Sequence, residues 1–292
     1  MISKILAQNI KDLFLQKKYQ ELINKAEKFT DISERPAPLS NLVGLSKVLK
    51  TNKTKEDFFS SLADFEDCYL KAKTHPYGLE GLCNLISVCV LNSNKYQGLL
   101  NHLRKAEKMY SEAEKIFNNN ERFLVIGTDL YKYLLDHKKM LQILKKLINQ
   151  ESKSKIIRCK YAFTNNYIYD WDQNDYFQYS KTLKNYFPKY KTLSIPKIDY
   201  KKNNKIKVGF VATDFKSGHS ITYFIKNTFK YLNKEKFQTY GFSLSKNNDE
   251  VKNSIKKEFD NWYDIGDLEN KDVINVIQKE KIQILIDLMG LT

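Results

Sequence analysis

Apolar residues recur at helical spacing along the first two thirds of the chain. A period of about 3.6 residues runs from Met1 to about residue 190, and the two-residue alternation of a half-buried strand is hard to find there. The pattern therefore predicts that residues 1–190 form a helical domain. The first of its helices would bury a face that carries Ile2, Ile5, Leu6, Ile10, Leu13 and Phe14.

The predicted helices form hairpins that repeat along the chain. Small residues such as Ala26 and Gly44 stand where two helices would approach closely. The repeat unit of about 40 residues is typical of helical solenoids. It resembles degenerate tetratricopeptide repeats, whose unit is usually ~34 residues and whose Trp/Gly/Tyr/Pro signature is incomplete here. An irregular helical bundle is the alternative. The second helices of the hairpins would begin near Tyr19, Phe58, Tyr96 and Met140.

An aromatic stretch at residues 161–188 predicts a turn followed by a helix that starts near Asp172. Aromatic rings at helical spacing favour a core between two domains over a platform for stacked bases. Pro196 and a cluster of Lys and Asn residues follow, which is typical of a linker. We therefore expect a linker at residues 191–204 and a domain boundary near residue 200.

Beyond the linker, apolar strands alternate with helices. Strands are predicted at KIKVGFVAT, at FQTYGFSLS, around Trp262 to Ile265 and at IQILIDL. Such alternation predicts a parallel sheet of about four strands covered by helices on both faces. The fold class is therefore a helical-repeat solenoid followed by a Rossmann-like half-domain at residues 205–292. The helix after the first strand would carry Ile221, Phe224, Ile225 and Leu232.

Net charge changes this picture little. The chain carries a net charge of +15, which would ordinarily suggest a polyanionic partner. Of its 49 basic residues only 4 are arginine, which leaves 49 − 4 = 45 lysines. Recognition of phosphates and base edges favours the bidentate fork of Arg, and Lys charge alone supports only non-specific attraction. Nucleic-acid binding is therefore not the favoured function.

Cysteine spacing, histidine spacing and hydropathy argue against a metal-binding, a secreted or a membrane protein. The cysteines form no CxxC pair and no Cys/His ligand spacing, so we expect reduced, mostly buried thiols and no metal site. No run approaches the ~20 apolar residues that span a bilayer, and the N-terminus lacks the pattern of a signal peptide. We therefore expect a cytoplasmic protein without membrane association. The cysteines are Cys68, Cys83, Cys89 and Cys159. Three histidines of the helical region also lack metal-ligand spacing, and we interpret them as surface or packing residues: His75, His102 and His137.

Candidate chemistry lies where the first predicted strand ends. The strand ends at Thr213 and Asp214, and a short loop through Gly218 and His219 leads into a helix. Ligands of open α/β sheets bind at the carboxyl ends of the strands, and a helix N-terminus favours an anion such as phosphate. His219 could then contact both the anion and a reacting hydroxyl. From the residues alone the alternative stays open that Asp214 and Ser220 cap the helix and that His219 is an exposed loop residue.

The stretch KVGFVATDFKSGHSITYFI resembles the opening of the catalytic region of the protein O-GlcNAc transferase family, the SPINDLY-like glycosyltransferases. The resemblance continues through NKEKFQTYGFSLS, FDNWYDI and IQKEKIQILIDLMGLT, and so covers residues 205–292. It implies an inverting, metal-independent GT-B enzyme without a cofactor. Such an enzyme transfers a sugar, usually N-acetylglucosamine, from a UDP-sugar to Ser or Thr hydroxyls of proteins. The helical repeats would present the acceptor polypeptide.

The resemblance also implies site residues. His219 matches the family's histidine at the cleft, and Leu291 stands where the family usually has His or Tyr. The chain stops before the second Rossmann domain that supplies most contacts to UDP, so we expect a fragment that is inactive alone. A non-catalytic helical scaffold and a basic nucleic-acid binder are the alternatives. Residues that would line the cleft with His219 are Thr213, Asp214, Gly218, Ser220, Gly290 and Thr292.

Overall fold

The computed structural model describes residues 4–28, 32–150, 154–168, 171–187, 205–246 and 248–290. The chain divides into two units, Met1–Phe187 and Pro188–Thr292. The predicted linker at 191–204 lies outside the described residues, so its boundaries, and those of the flanking domains, remain predictions.

All the regular secondary structure described in the first unit is helical, which confirms the prediction for this region. Two short 3-10 helices, Ile32–Glu34 and Lys184–Tyr186, accompany its α-helices. The α-helices are α1 Lys4–Leu15, α2 Tyr19–Ala26, α3 Ala37–Leu49, α4 Lys55–Lys71, α5 Pro76–Asn92, α6 Leu99–Phe117, α7 Glu121–Tyr133, α8 His137–Asn149, α9 Lys155–Asn165 and α10 Gln173–Leu183.

Local capping sets where the second helices of the hairpins begin. α2 begins at its predicted residue, whereas α4, α6 and α8 begin within three residues of theirs. α4 begins early because Thr54 and Asp57 form a capping box, in which Thr54 Oγ1 accepts from the Asp57 amide at 3.1 Å. α6 begins late because Gly98 precedes it in a left-handed conformation, with φ of 88°.

Successive helices pack on one another and share a continuous core. α4 packs against α3 and α5, α7 packs against α5 and α8, and α8 packs against α9. This order of contacts along the chain is the arrangement that the repeat pattern predicts. The core contains buried side chains from Phe58 in α4 to Ile168, which follows α9. A separate small cluster joins α1, α2 and α3.

The aromatic stretch belongs to this helical core. Asp172 caps α10 with Asp175, so the predicted start of that helix is confirmed. The predicted turn is present at residues 166–168 but begins later than expected, because α9 runs to Asn165 with Tyr161 buried. The ring of Tyr161 lies 5.4 Å from that of Trp171, and both pack within the first unit. These two rings therefore belong to the core of the first unit, and a core between domains stays a prediction.

The second unit is a four-stranded parallel sheet, as predicted. The strands are ordered β3-β2-β1-β4, so β1 lies beside both β2 and β4. Buried clusters lie on two sides of the sheet, one around Phe210 and Phe259 and the other around Tyr240 and Phe242. The elements are β1 Ile206–Ala212, α11 Ser220–Ile225, β2 Phe237–Ser243, α12 Glu250–Lys256, β3 Asn261–Asp264, α13 Asn270–Lys279 and β4 Ile284–Asp287, with a 3-10 helix at Thr228–Tyr231.

Two predictions about this unit are wrong. The helix expected to run to Leu232 ends at Ile225, because the apolar positions do not share one buried face: Phe224 is 81% exposed, whereas Phe229, in the following 3-10 helix, is buried. The second is wrong only for β4. The sheet was expected to be covered on both faces, and buried clusters do lie on both of its sides. Residues 284–287 of β4, at the sheet edge, are exposed within the part of the chain that the structure describes.

The approach of α3 to α4 at Gly44 gives a test of the helical packing. A Cβ atom at Gly44 would lie 2.7 Å from Cε1 of Phe65, which is fully buried. We expect Gly44→Val to lower the free energy of unfolding by about 1–3 kcal/mol, because the two helices must separate. Chemical denaturation followed by circular dichroism measures this. Gln142→Ala on the exposed side of α8 is the control, and an equal stability of the two variants would contradict the packing.

Candidate active site

The loop after β1 is anchored by Phe215. Its side chain is 0% exposed, and its ring lies 5.2 Å from the ring of Trp262 and 6.0 Å from that of Phe259. Burial of a whole phenyl ring contributes roughly 1.5–3 kcal/mol, so this residue fixes the chain at that point. The polar residues on either side, Asp214 and Lys216, are consequently held at the carboxyl end of β1.

Asp214 forms the electrostatic centre of the loop. Its Oδ2 lies 3.4 Å from Nε2 of His219, and its Oδ1 lies 3.4 Å from Nζ of Lys216. The main-chain oxygen of Asp214 accepts a hydrogen bond from Oγ1 of the buried Thr222 in α11. Asp214 is 8% exposed, and an interaction between charged or polar groups is stronger there than in bulk water. The structure therefore brings Asp214 and His219 together.

His219 stands directly before α11 and faces Asp214 with one ring nitrogen. Its side chain is 36% exposed, yet Nδ1 is buried and has no hydrogen-bond partner among the described residues. His219 occupies the N-cap position of α11 without a capping hydrogen bond from its side chain, and Ser220 is the first residue of the helix. The capping alternative, which gave that role to Asp214 and Ser220, is therefore wrong. α11 has only six residues, and its dipole is correspondingly small. The anion expected at its N-terminus remains a prediction.

Two glycines expected at the site adopt left-handed backbone conformations. Gly218 has φ of 76° and Gly290 has φ of 58°. A residue with a Cβ atom is strained in this region, so glycine permits the turns by which both loops leave the sheet. A Cβ atom at either position would have no neighbour within 4 Å among the described residues, so backbone conformation alone explains the two glycines.

The loops after β1 and β4 lie next to each other. The amide nitrogen and Oγ1 of Thr213 each lie 3.1 Å from Sδ of Met289, and the Met289 amide donates to Oδ1 of Asp287 at 2.9 Å. Because β2 and β3 lie on one side of β1 and β4 on the other, this crevice is a topological switch point, where α/β sheets bind ligands. Gly290 follows at once in the second loop, whereas Leu291 and Thr292 lie outside the described residues.

Several contributors to the site were missed by the sequence reasoning. Asp249, the N-cap of α12, accepts hydrogen bonds from the amide and the hydroxyl of Ser217, 32 residues earlier in the chain. An Asp before a helix signals an N-cap, but nothing local predicts its contact with Ser217. Thr222 and Met289 were missed for the same reason, because their partners are set by tertiary packing.

Metal-ligating groups and thiols do not converge on this crevice. Within the described ranges no group of three or more His, Cys, Asp or Glu residues could hold a metal ion. Cys68, Cys83 and Cys89 are buried, and burial raises the pKa of the Cys68 and Cys89 thiols to about 12. Cys159 is half-buried, so the thiols are mostly buried, as expected. None of the described helices is long and apolar enough to cross a membrane.

Comparison with known proteins defines the class of the second unit. Residues 184–292 match the family model Glycosyl transferase family 41. This chain is 29% identical over 89 residues to a probable UDP-N-acetylglucosamine–peptide N-acetylglucosaminyltransferase of Arabidopsis thaliana, which corresponds to 30% of this chain and 9% of that protein. An O-GlcNAc transferase mutant from Thermobaculum terrenum has a similar structure, with a TM-score of 0.57 and 13% identity over 88% of this chain and 48% of the other.

Residues 184–292 are thus similar to the glycosyltransferases of family 41. The resemblance to the O-GlcNAc transferase family, on which the sequence interpretation rested, is confirmed. The structural similarity is at low identity and bears on the fold alone, which is a helical region followed by one half of a GT-B fold. The chain spans less than half of either relative's length.

The conformation of Gly218 can be tested by two substitutions that differ in backbone preference. Asn tolerates a left-handed conformation, whereas a β-branched residue is strained there by about 1–2 kcal/mol. We therefore expect Gly218→Val to destabilise the α/β unit or to disorder its loop, and Gly218→Asn to do so much less. Amide exchange across residues 214–220 measures this. Equal behaviour of the two variants would contradict the left-handed turn, because open space removes any difference in packing.

Proposed function

We propose that residues 205–292 form the first half of the catalytic region of a glycosyltransferase that modifies proteins. The donor would be a UDP-sugar, with N-acetylglucosamine as the sugar, and the acceptor a Ser or Thr hydroxyl. The observation that carries the proposal is the pair of Asp214 and His219 at the switch point of a family 41 domain, with Nε2 and Oδ2 3.4 Å apart. The names of the two relatives, both transferases of this kind, support the choice of donor.

His219 would act on the acceptor hydroxyl or on the donor phosphate. If Nε2 carries the ring proton and faces Asp214, Nδ1 keeps its lone pair and can accept a hydrogen bond. In an inverting transfer, the acceptor oxygen forms a bond to the anomeric carbon as the bond from that carbon to the UDP oxygen breaks. UDP leaves with the electron pair, and the proton of the hydroxyl passes to a base. His219 would either take that proton or orient the hydroxyl for attack.

The remaining parts of the proposal concern partners and place. The helical region, α1 to α10, would present the acceptor polypeptide to the crevice. The leaving diphosphate needs hydrogen-bond donors and positive charge fixed around it, in the absence of a catalytic metal. In the proposed enzyme a second Rossmann-like domain would supply most of them. We also propose that the protein acts in the cytoplasm.

The role of His219 is tested by His219→Ala. We expect kcat/KM to fall by roughly 10- to 10⁴-fold, the range between the loss of a positioning contact and the loss of a general base. His102→Ala, in α6, is the matched control and should keep full activity. Loss of the acidic limb of the pH profile in the variant would indicate a base, and an unchanged profile would indicate positioning. Full activity of folded His219→Ala would remove His219 from the site.

The contribution of this chain alone is tested with labelled UDP-N-acetylglucosamine and Ser/Thr-containing protein acceptors. We expect no transfer above a control without protein, because most of the hydrogen-bond donors that stabilise the leaving diphosphate would come from the second domain. If the coding region continues past codon 292, its complete product is assayed in parallel and should be active. Robust transfer by residues 1–292 would show that the donor site is misplaced. Inactivity of the complete product would favour a helical scaffold.

A further inference from the structure

One carboxylate connects the loops that follow β1 and β2. Oδ2 of Asp249 accepts hydrogen bonds from the amide of Ser217 at 3.0 Å and from its Oγ at 3.2 Å. Oδ1 of the same residue accepts from the amide of Lys252 at 2.8 Å and so caps α12. The two oxygens therefore perform separate tasks, and the first ties the β1 loop to the N-terminus of a helix.

The contact between Asp249 and Ser217 restrains the middle of the β1 loop, which the packing of Phe215 and the hydrogen bond of Thr222 do not restrain. Phe215 fixes the beginning of the loop in the core, and Thr222 fixes the following helix through the main chain of Asp214. Ser217 lies between these anchors, next to Gly218, whose glycine backbone is intrinsically free to rotate. His219 comes directly after Gly218. A contact at Ser217 therefore limits the positions that the His219 ring can take.

We propose that Asp249 is a positioning residue, which holds the loop so that Nε2 of His219 stays against Asp214. The importance of this contact for catalysis rests on the proposed function, whereas its effect on the His219 ring does not.

The charge of Asp249 suits this task. Hydrogen bonds from the Ser217 amide, and next from the Lys252 amide, lower its pKa below the ordinary value of 3.8. The side chain is therefore ionised at neutral pH, and both of its oxygens act as acceptors. A carboxylate that accepts from a main-chain amide forms a charge-assisted bond, which is stronger than a bond between neutral groups.

A selective variant exists because the two oxygens have different partners. Asp249→Ser keeps a good N-cap for α12, since a Ser hydroxyl can accept from the Lys252 amide, but it is too short to reach Ser217 as well. Ser217→Ala removes only the hydroxyl bond and keeps the amide bond, so its effect should be intermediate.

The chain offers a matched control in Asp260. Its Oδ2 accepts from the amide of Thr239 at 2.7 Å and from Oγ1 of Thr239 at 3.0 Å, the same pair of donors that Ser217 offers to Asp249. Asp260 directly precedes β3 and therefore lies at the amino ends of the parallel strands, whereas the β1 loop lies at their carboxyl ends. Asp260→Ser removes an equivalent pair of bonds without touching the β1 loop.

The experiment follows the His219 ring and the loop in the 292-residue chain. Two-dimensional NMR of the imidazoles, with the His219 signal assigned through His219→Ala, reports the tautomer and the surroundings of the ring. Hydrogen exchange reports the loop. In Asp249→Ser we expect the His219 signals to shift, and exchange across residues 215–219 to rise by roughly 3- to 10-fold. Exchange within α12 should not change. In Asp260→Ser the loop and the ring should match the wild type. Unchanged His219 signals in Asp249→Ser would overturn the proposal.

Measurements of kcat and KM distinguish a failure of this proposal from a failure of the proposed function. In an active complete protein, Asp249→Ser should lower kcat by roughly 3- to 100-fold with little change in KM, and should add nothing in a His219→Ala background. An equal loss in both backgrounds would mean that Asp249 acts only on stability, and would overturn the positioning role. If His219→Ala itself kept full activity, the proposed function would fail, while the NMR result would still decide whether Asp249 positions the ring.

Discussion

The second unit depends on a single constraint, the burial of Phe215 between the rings of Phe259 and Trp262. A loop of polar residues would otherwise be free to move away from the sheet, since solvent satisfies its groups. With the phenyl ring fixed, Asp214 must emerge at the carboxyl end of β1, and the turn at Gly218 returns the chain to α11. Hydrophobic packing thereby determines the geometry of a charged site that it does not itself contact.

Periodicity was sufficient to predict the order and type of the elements. Helical spacing up to residue 187 and the alternation after residue 204 both follow from which faces must be buried, and this information is local. It failed between Ile221 and Leu232, because apolar spacing cannot tell that Phe224 is exposed and Phe229 is buried. It also failed for β4, whose apolar residues suggested a covered strand, because edge position is a property of the whole sheet.

The candidate site was predicted in a similar, partial way. The position of His219 followed from the rule that ligands bind at the carboxyl ends of parallel strands, and Gly218 was placed in the same loop. The partners of these residues could not be predicted from the residues alone. Asp249 and Met289 lie 32 and 76 residues along the chain from the groups they contact, and only the order of the strands brings them near. The pairing of Asp214 with Lys216 and His219 is local in the chain, whereas the contacts of the β1 loop with Asp249 and Met289 are tertiary in origin.

The neighbouring position of β1 and β4 has a consequence for synthesis on the ribosome. β1 can pair with β2 as soon as residue 243 has emerged, but Thr213 meets Met289 only after a further stretch of chain that includes β3 and α13. Contacts between residues distant in the chain form late, because the intervening loop must first be closed. The crevice at the switch point is therefore among the last features of this unit to assemble in a nascent chain. Until β4 docks, a growing polypeptide exposes the β1 edge, and the loops after β1 and β4 are not yet brought together.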